Sequence, residues 1–331
     1  MDVLVVGGAG YIGSTVAAQL LRAGHGVVVL DDLSNGHRAA VPERAALEVG
    51  DYGDEATLER LFSARSFDAV MHFAALIEVG ESMRAPERFF RNNTANTLTL
   101  ARAMLRHDVR RLVFSSTAAL FGTPECVPIA EDGRISPTSP YGESKLMVER
   151  MLHWLHVAHG LRFACLRYFN AAGARDPDHG EDHRPESHLI PLVLQVALGR
   201  RESVAVFGAD YDTPDGTCVR DYIHVEDLAR AHLLALAALG EHSALHFNLG
   251  NGMGHSVREV IATASAVTGR AIPAVAAPRR PGDPPILVAS AARISAALGW
   301  RPQMPALHDI IASAWEWHRR HPHGYATEPA T

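Results

Sequence analysis

A glycine-rich turn follows the first hydrophobic run of the chain and constrains its fold more than any other feature. The run, residues 3–6, is apolar and rich in valine, and residues 7–13 read GGAGYIG, which contains both GxGxxG and GxxGxxG. Apolar residues at helical spacing then continue towards Gly24. This order predicts a strand, a tight turn and a helix, in which Gly7 and Gly10 allow close backbone approach and Gly13 lets the helix pack tightly on the strand. The helix N-terminus would point free N–H groups at a diphosphate.

An acidic pair follows the second hydrophobic run. Asp31 lies 18 residues after the last glycine of the turn, where a carboxylate can accept both hydroxyls of a ribose, so the two features together predict dinucleotide binding. Asp31 and Asp32 would repel a 2′-phosphate, which favours NAD over NADP. Arg38 would argue the reverse, and we interpret it as a charge on a solvated loop. Asp51 and Tyr52, after the third strand, are candidates for holding the adenine, and a surface turn is the alternative.

Hydrophobic runs alternate with helical patterns through the first half of the chain. Further runs lie at residues 69–73, 112–114 and 163–166, and helical patterns cover residues 55–64, 86–107 and 141–159. Uninterrupted apolar strands that alternate with helices are typical of a parallel sheet covered on both faces. We therefore predict an α/β fold, with a doubly wound Rossmann domain over residues 1–170 and a smaller mixed α/β domain over residues 171–331, and we allow for sheet elements that cross back. In the second domain the patterns predict helices at 190–198, 225–239, 256–268 and 306–319 and a strand at 204–207.

Composition excludes several classes of protein. The 331 residues carry a formal net charge of −6, and lysine and arginine are scattered, so we expect no nucleic-acid partner. Apolar runs fall far short of the ~20 residues that a bilayer span needs, so we expect no membrane partner either. The cysteines, Cys126, Cys165 and Cys218, form no CxxC pair and predict neither a disulfide framework nor a zinc knuckle. These observations favour a cytoplasmic protein.

Tyr141 and Lys145 are spaced so that both lie on one face of the predicted helix at 141–159. A tyrosine acts as a base near neutrality only if its phenolate is stabilised, and a lysine ammonium beside a cationic nicotinamide would do that. Without a dinucleotide turn upstream, a half-buried tyrosine and a surface lysine would be the simpler interpretation. Ser115 and Thr117 end the strand at 112–114, where ligands of doubly wound folds bind. Thr117 could share a hydrogen bond with a substrate hydroxyl, or it could cap a helix.

Together these motifs resemble those of the extended short-chain dehydrogenase/reductases, and in particular the UDP-glucose 4-epimerase family. Seven further segments match in order: FAA at 73–75, VGES at 79–82, RYFN at 167–170, HLIP at 188–191, VRDYIHV at 219–225, RRPGD at 279–283 and the C-terminal stretch from WEWH at 315 to GY at 325. The resemblance implies that Tyr141 removes the proton of the sugar O4 while C4 gives hydride to bound NAD. The 4-keto sugar then rotates and takes hydride back on its other face. It also implies that the second domain binds the nucleotide sugar.

The resemblance and the motifs together define a candidate site. Catalytic candidates are Tyr141, Lys145 and Thr117. Candidate NAD contacts are Gly7, Gly10, Tyr11, Ile12, Gly13, Asp31, Asp32, Asn35, Asp51, Tyr52, Phe73, Ala74, Ala75, Asn93, Ser115, Tyr141, Lys145 and Phe169. Candidate UDP-sugar contacts are Thr117, Asn170, His188, Leu189, Phe207, Arg220, Arg280, Asp283 and Leu287, with arginines for the diphosphate, Asp283 for a ribose and apolar groups for the uracil. Members of the family commonly form a homodimer, which here would use residues 86–107 and 141–159.

Departures from the family pattern bear on the substrate. Phe121 replaces a tyrosine, and Ile77 and Glu78 lie where some members carry a lysine that contacts the cofactor. Leu287 falls at a variable position near the sugar, and because leucine is smaller than tyrosine, we expect N-acetylated sugars to be admitted. UDP-glucuronate and UDP-xylose remain alternatives, since only the pocket around C5 would differ. A 4,6-dehydratase is disfavoured because Ala118 and Ala119, rather than carboxylates, follow Thr117.

Two other interpretations concern function without catalysis and the histidines. A non-catalytic NAD-binding sensor would be expected to lose Tyr141 or Lys145, and both are present. The 19 histidines include groups at 153–159, at 179–188 and at 318–323. The first group drifts around a helix, and the second, in a polar loop, leaves a metal as an alternative. Because the implied mechanism needs no metal, we expect no metal site.

Overall fold

The computed structural model describes residues 1–280 and 282–326. Within this part of the chain thirteen strands form. They are β1 Asp2–Val6, β2 Gly26–Asp31, β3 Ala46–Val49, β4 Ala69–His72, β5 Arg111–Thr117, β6 Arg162–Tyr168, β7 Asn170–Ala172, β8 Val204–Phe207, β9 Val219–His224, β10 Ala244–Leu249, β11 Gly254–Ser256, β12 Ala274–Ala277 and β13 Ile286–Leu287. The α-helices are α1 Tyr11–Arg22, α2 Glu55–Ala64, α3 Val79–Ser82, α4 Pro86–Phe89, α5 Asn96–Arg106, α6 Pro140–His159, α7 Leu189–Ala197, α8 Val225–Ala238, α9 Val257–Thr268, α10 Ala292–Leu298 and α11 Leu307–Arg320.

Seven of these strands form one parallel sheet in the order β10-β6-β5-β4-β1-β2-β3. The sheet confirms the predicted doubly wound α/β fold. The winding reverses between β1 and β4, so the loops that follow these two strands diverge and leave a crevice at their carboxyl ends, which is where such folds bind ligands. The glycine turn follows β1, and Phe73 follows β4.

Helices cover both faces of the large sheet, which explains why its strands are apolar without alternation. On one face Val16 and Leu20 of α1 share a buried core with Leu228 and Leu236 of α8. On the other face lie α2, α5 and α6, whose buried contributions include Leu58, Leu100, Val148 and Leu152. Each face alone would leave one side of β1 and β4 in water, so both layers are required.

The remaining strands lie in two smaller sheets. In one, β9 pairs with β7, β11 and β13, and in the other β8 pairs in parallel with β12. Helices α7, α9 and α11 share a third core that includes Val193, Val260 and Ile310. Both α8 and β10, although they lie beyond residue 170, pack with the large sheet. The predicted domain boundary at residue 170 stays a prediction.

The predicted helices agree with the structure at most ends to within a residue, but the helix predicted over 86–107 contains an irregularity. Its middle, Phe90–Ala95, is π-helical and separates α4 from α5. The prediction of one regular helix was wrong there, and within this segment the carbonyl of Asn92 accepts from the Tyr52 phenol at 2.5 Å. Such π-helical turns occur frequently at functional sites. No helix in the described part of the chain is long and apolar enough to cross a membrane.

Candidate active site

The glycine turn is shaped for close approach of another group to its backbone. Gly7 has φ +78°, and a Cβ there would lie 2.4 Å from the backbone nitrogen of Ala74. A Cβ on Gly13 would lie 2.2 Å from the carbonyl oxygen of Gly7. Helix α1 begins at Tyr11 after Gly10, which has no side chain with which to cap it. The first amides of α1, including that of Ile12, therefore face the crevice and form a ready anion site.

Asp31 holds the glycine turn in place through hydrogen bonds to the backbone. Its side chain is 8% exposed, Oδ2 accepts from the backbone N–H of Ala9 at 2.9 Å, and Oδ1 accepts from that of Leu33 at 2.9 Å. Burial raises the pKa of the carboxyl above its usual value, while both N–H donors oppose that shift. The structure thus gives Asp31 a turn-positioning role that the sequence prediction did not include, and each oxygen keeps lone-pair capacity for a ribose hydroxyl.

The other residues predicted on the adenine side differ in exposure. Asp32 accepts from the N–H and hydroxyl of Ser34, and Asn35 is exposed in the same loop. Asp51 is exposed and accepts from a backbone N–H. Tyr52, by contrast, is buried, and its phenol is already bonded within the protein. Asp32, Asn35 and Asp51 are therefore exposed to solvent in loops that follow β2 and β3, and Tyr52 belongs to the buried core.

A loop at the carboxyl end of β4 forms the opposite wall. The backbone nitrogens of Phe73 and Ala74 both donate to the carbonyl of Val6, which holds this loop against the glycine turn. Ala75 follows them, half-buried. Asn93, in the π-helical turn, is 2% exposed. Its side-chain amide accepts from the backbone N–H of Leu76 and donates to the carbonyl of the same residue. The predicted NAD contact Asn93 is thus also a brace for the loop.

The predicted catalytic residues converge at the carboxyl end of β5. Lys145 is 2% exposed, and its Nζ donates to the carbonyl of Ser115 at 2.9 Å and lies 4.8 Å from the centroid of the Phe114 ring. Burial lowers the pKa of Lys145 to about 7. The alternative of a surface lysine is excluded by this position. Ser115 also shares a hydrogen bond between its hydroxyl and the phenol of Tyr168.

Tyr141 and Thr117 lie together beside Lys145. Burial raises the pKa of the Tyr141 phenol, the Thr117 side chain acts in the opposite direction, and the negative charge of Glu78 raises it further. Without an added positive charge, Tyr141 therefore holds its proton. The Thr117 hydroxyl also accepts from the backbone N–H of Ala119 at 3.1 Å, so Thr117 caps the short helical turn after β5, while its hydrogen bond to a substrate hydroxyl stays a prediction.

A buried ion pair beneath this constellation was not predicted from the sequence. Glu149 and Arg167 have side chains 4% and 5% exposed, and their closest atoms are 2.6 Å apart. The Ser116 hydroxyl donates to the same carboxylate at 2.5 Å. The only signal was an acidic residue at helical spacing from Lys145, which many helices show.

Residues predicted to hold the nucleotide sugar form two groups. In the first, Arg220 on β9 donates to Asp283 Oδ1 at 2.5 Å, and the guanidinium of Arg280 stacks 4.0 Å above the centroid of the Phe207 ring. Leu287 lies beside Arg220 in the register of β13 with β9. The structure therefore brings together the predicted phosphate-binding, ribose-binding and gating residues, although Asp283 is already engaged by Arg220.

The second group lines a small cavity where β7 meets α7. Asn170, His188 and Leu189 lie around it with Tyr222. Phe169 precedes them between β6 and β7 and is half-buried. His188 is additionally held by carboxylates of the polar loop before it, Glu181 and Glu186, at 2.9 and 3.2 Å. That loop joins this cavity to the glycine turn, because the Tyr11 phenol donates to the carbonyl of Gly173 at 2.7 Å.

The glycine turn, the Asp31 carboxylate, the half-buried Tyr141 and the buried Lys145 lie at the carboxyl edge of a doubly wound sheet, which is where such folds bind dinucleotides. Residues 3–250 match the model of the NAD dependent epimerase/dehydratase family. The chain belongs to this family.

Several relatives within the family are similar to this chain along nearly its whole length. A UDP-glucose 4-epimerase of Halalkalibacterium halodurans is 54% identical over 331 residues, which cover 99% of this chain and 98% of that protein. The solved UDP-glucose 4-epimerase of Bifidobacterium longum, in complex with NAD⁺ and UDP, superposes with a TM-score of 0.95 at 39% identity and covers 98% and 100% of the two chains. The UDP-Glc/GlcNAc 4-epimerase of Campylobacter jejuni gives a TM-score of 0.86 at 39% identity, with 96% and 99% covered.

Proposed function

We propose that this chain is a UDP-hexose 4-epimerase that interconverts UDP-galactose and UDP-glucose with bound NAD. The observation that carries the proposal is the position of the half-buried Tyr141 and the buried Lys145 with Thr117 at the carboxyl end of β5, next to a backbone site for a diphosphate. Relatives that align along nearly the whole chain and are named for this activity support it.

The residues of the crevice fit NAD. A Cβ at Gly7 would collide with the backbone of Ala74 and one at Gly13 with the carbonyl of Gly7, so only glycine permits this turn, and the uncapped start of α1 offers N–H donors to the diphosphate. When bound, NAD supplies a reversible hydride acceptor for C4 of the sugar. We assign the nucleotide contacts named from the sequence to this crevice, with Asp31, Asp32 and Asn35 on the adenosine side and Ser115, Phe169 and the Tyr141–Lys145 pair on the nicotinamide side.

Tyr141 acts as the acid and base. Its phenol has a raised pKa, so it loses a proton near neutrality only when positive charge lies close by. Lys145 and a cationic nicotinamide ring together provide that charge. The phenolate then takes the proton from O4 as hydride leaves C4, and it returns the proton when the rotated 4-keto sugar is reduced. Thr117 fixes the phenol and the sugar hydroxyl in one line.

The nucleotide end of the substrate carries the binding energy, so that the sugar can turn. Arg220 and Arg280 face the diphosphate, Asp283 the ribose, and Phe207 and Leu189 the uracil. Arg220 exchanges part of its contact with Asp283 for phosphate oxygens, because a guanidinium has five donors in a planar fork. Loose contacts to the sugar and firm contacts to UDP suit a mechanism in which only the sugar rotates.

An NMR assay of purified protein without added NAD tests the proposal. We expect UDP-galactose to be converted to UDP-glucose, and Tyr141→Phe to abolish conversion while NAD remains bound. Failure with UDP-galactose, UDP-N-acetylgalactosamine, UDP-glucuronate and UDP-xylose, even with NAD supplied, would overturn it. NAD binding with no turnover of any substrate would indicate a non-catalytic sensor instead.

The sugar pocket gives a second candidate substrate class. Leu287 leaves more room than a tyrosine would, so we propose that N-acetylated UDP-hexoses are also accepted. The Campylobacter jejuni relative, named as a UDP-Glc/GlcNAc enzyme, supports this. Replacing Leu287→Tyr is expected to suppress turnover of UDP-N-acetylgalactosamine and to spare UDP-galactose. Absence of turnover of the N-acetylated sugar by the unaltered protein would contradict it.

We also propose a cytoplasmic homodimer. Its interface would lie on α5 and α6, where large apolar side chains stand in water: Leu98, Met147, Trp154 and Val157 are 40%, 42%, 66% and 62% exposed. Two antiparallel copies of this face would bury them. Light scattering is expected to give twice the mass of the chain, and Trp154→Glu is expected to give the monomer mass.

A further inference from the structure

A compact group of metal-type ligands lies in the polar loop between β7 and α7, and one of its members, His188, is also a candidate UDP-sugar contact. Its four members, here called the His–Glu cluster, are Glu181, His183, Glu186 and His188. One ligand atom from each lies within 4.8 Å of the others. The sequence offered only histidines in a loop, because nothing in the spacing said that two glutamates would turn inward with them.

In the cluster each histidine Nδ1 lies close to oxygens of both carboxylates. His183 Nδ1 lies 3.3 Å from Glu181 Oε1 and 3.7 Å from Glu186 Oε2. His188 Nδ1 lies 2.9 Å from Glu181 Oε1 and 3.2 Å from Glu186 Oε1. Ligand atoms about 2.0–2.2 Å from a tetrahedral Zn²⁺ stand about 3.3–3.6 Å from one another. The two His183 distances lie near this spacing, whereas the two His188 distances are shorter, so His188 would have to shift outward for an ion to enter.

A second observation separates the cluster from an ordinary ion-pair network. His183 Nδ1 is inaccessible to water and makes no hydrogen bond with any described residue, although two carboxylates face it. A buried nitrogen that points at acceptors without hydrogen-bond alignment is rare, and a metal ion is one of its explanations. One side of the cluster is covered: Glu181 is 4% exposed, its carbonyl accepts from the indole of Trp317 at 3.2 Å, and the Tyr11 ring meets His183 edge-on. The other side is open to solvent, since the His183 and His188 side chains are 19% and 38% exposed.

We propose that the His–Glu cluster binds one Zn²⁺-class divalent ion as a structural site. Two imidazoles and two carboxylates suit Zn²⁺, and the two negative charges balance the ion. Glu186 contributes Oε2, since its Oε1 already accepts the backbone N–H groups of Ser187 and His188 at 2.7 Å each. The ion would clamp the loop that links the glycine turn, through Tyr11 and Gly173, to the start of α7 at Leu189. The proposal takes up the alternative of a metal in this loop, which the sequence expectation of no metal had left open.

Metal content tests the proposal independently of epimerase activity. Protein expressed with zinc in the medium, freed of any affinity tag and dialysed, is expected to retain about one Zn²⁺ per chain by mass spectrometry. Glu181→Gln and His183→Gln are each expected to lose it. The matched control is His179→Gln, a change in the same loop, where Nδ1 pairs with Asp176 at 2.8 Å outside the cluster. This variant is expected to keep the ion.

A measurement on the unaltered chain covers the case in which the variants fail to fold. Co²⁺ substituted into the site is expected to give the intense visible bands of four-coordinate cobalt with nitrogen and oxygen ligands. A metal-free protein after zinc supplementation, a six-coordinate cobalt spectrum, or retention of the ion by both cluster variants would overturn the proposal. The first of these outcomes would assign the cluster to a network of imidazolium–carboxylate pairs.

Discussion

The buried ion pair between Glu149 and Arg167 makes the sharpest prediction about how α6 is held. Glu149 lies one helical turn beyond Lys145 on α6, and Arg167 lies on β6. The guanidinium donates to both carboxylate oxygens, at 3.0 and 2.6 Å, and to the carbonyl of Glu131 at 3.1 Å. The Ser116 hydroxyl donates to the same carboxylate. Removing the carboxylate would therefore strand a buried cation and a buried hydroxyl together.

The magnitude follows from burial. Breaking a buried pair by removing one partner costs about 3–5 kcal/mol, because the remaining charge is left uncompensated. We expect Glu149→Ala to lower the free energy of unfolding by about that amount. A matched control is available on the surface, where Glu125 and Arg134 pair at 3.1 Å with side chains 67% and 71% exposed. Glu125→Ala is expected to cost about 0–1 kcal/mol, since water screens that pair.

Urea unfolding followed by circular dichroism measures both variants against the unaltered chain at one NAD concentration. The double variant Glu149→Met/Arg167→Met removes both charges and is expected to be more stable than Glu149→Ala, because no unpaired cation remains. A loss in Glu149→Ala no larger than that in Glu125→Ala would refute the reasoning. A double variant no more stable than the single one would show that packing, rather than the stranded charge, sets the cost.

Three further changes test other parts of the site. Gly7→Ala is expected to abolish NAD retention, because its Cβ would collide with Ala74. Gly24→Ala is the control: Gly24 has φ +83° but open space around it, so we expect this change to cost only about 1–2 kcal/mol of conformational strain. The absorbance of NAD released on denaturation distinguishes the two variants. Burial lowers the pKa of Lys145 to about 7, whereas a lysine in the unfolded chain has a pKa of about 10.4. Between these two pH values the unfolded chain binds more protons than the folded one, so raising the pH stabilises the folded state. We expect the free energy of unfolding of the NAD-free protein to rise, relative to Lys145→Met, by up to about 1.4 kcal/mol per pH unit. Urea unfolding at pH 7.5 and 9.5 checks the sign. Arg220→Met is expected to raise KM for UDP-galactose at least tenfold with a smaller change in kcat, because Arg220 is proposed to bind the diphosphate, which does not react. An effect confined to kcat would contradict that role.

Features encoded within a few residues of one another were accessible from the sequence. The glycine turn, Asp31 and the Tyr141–Lys145 pair each depend on local geometry: a positive φ, the end of a strand, or one helical turn. The alternation of apolar strands with helices likewise follows from burial on both faces of the sheet. These patterns predict the doubly wound fold and the edge at which the site lies.

Features that depend on distant pairing were not accessible. The return of β10 to the large sheet and the packing of α8 on α1 depend on residues far apart in sequence. The π-helical turn at Phe90–Ala95 contains a carbonyl that accepts from Tyr52, 40 residues away from Asn92. The inward turn of Glu181 beneath Trp317 is equally non-local. No periodicity in the sequence marks these arrangements.

The contacts that hold α6 explain how Tyr141, the proposed acid and base, can stay in one position while the sugar of the substrate rotates. Ser139 caps the helix by accepting from the N–H of Gly142 at 3.2 Å, the Ser144 hydroxyl accepts from Asn93 at 3.1 Å, and Lys145 and Glu149 bond to groups on β5. These contacts fix α6 from its cap through its first two turns to the carboxyl end of β5, so Tyr141 keeps one position relative to the sheet. Because an epimerase must return the proton to the same oxygen after the sugar has rotated, the freedom has to lie in the sugar and the rigidity in the helix. The buried network beneath Tyr141 is therefore as much a part of the proposed mechanism as the phenol itself.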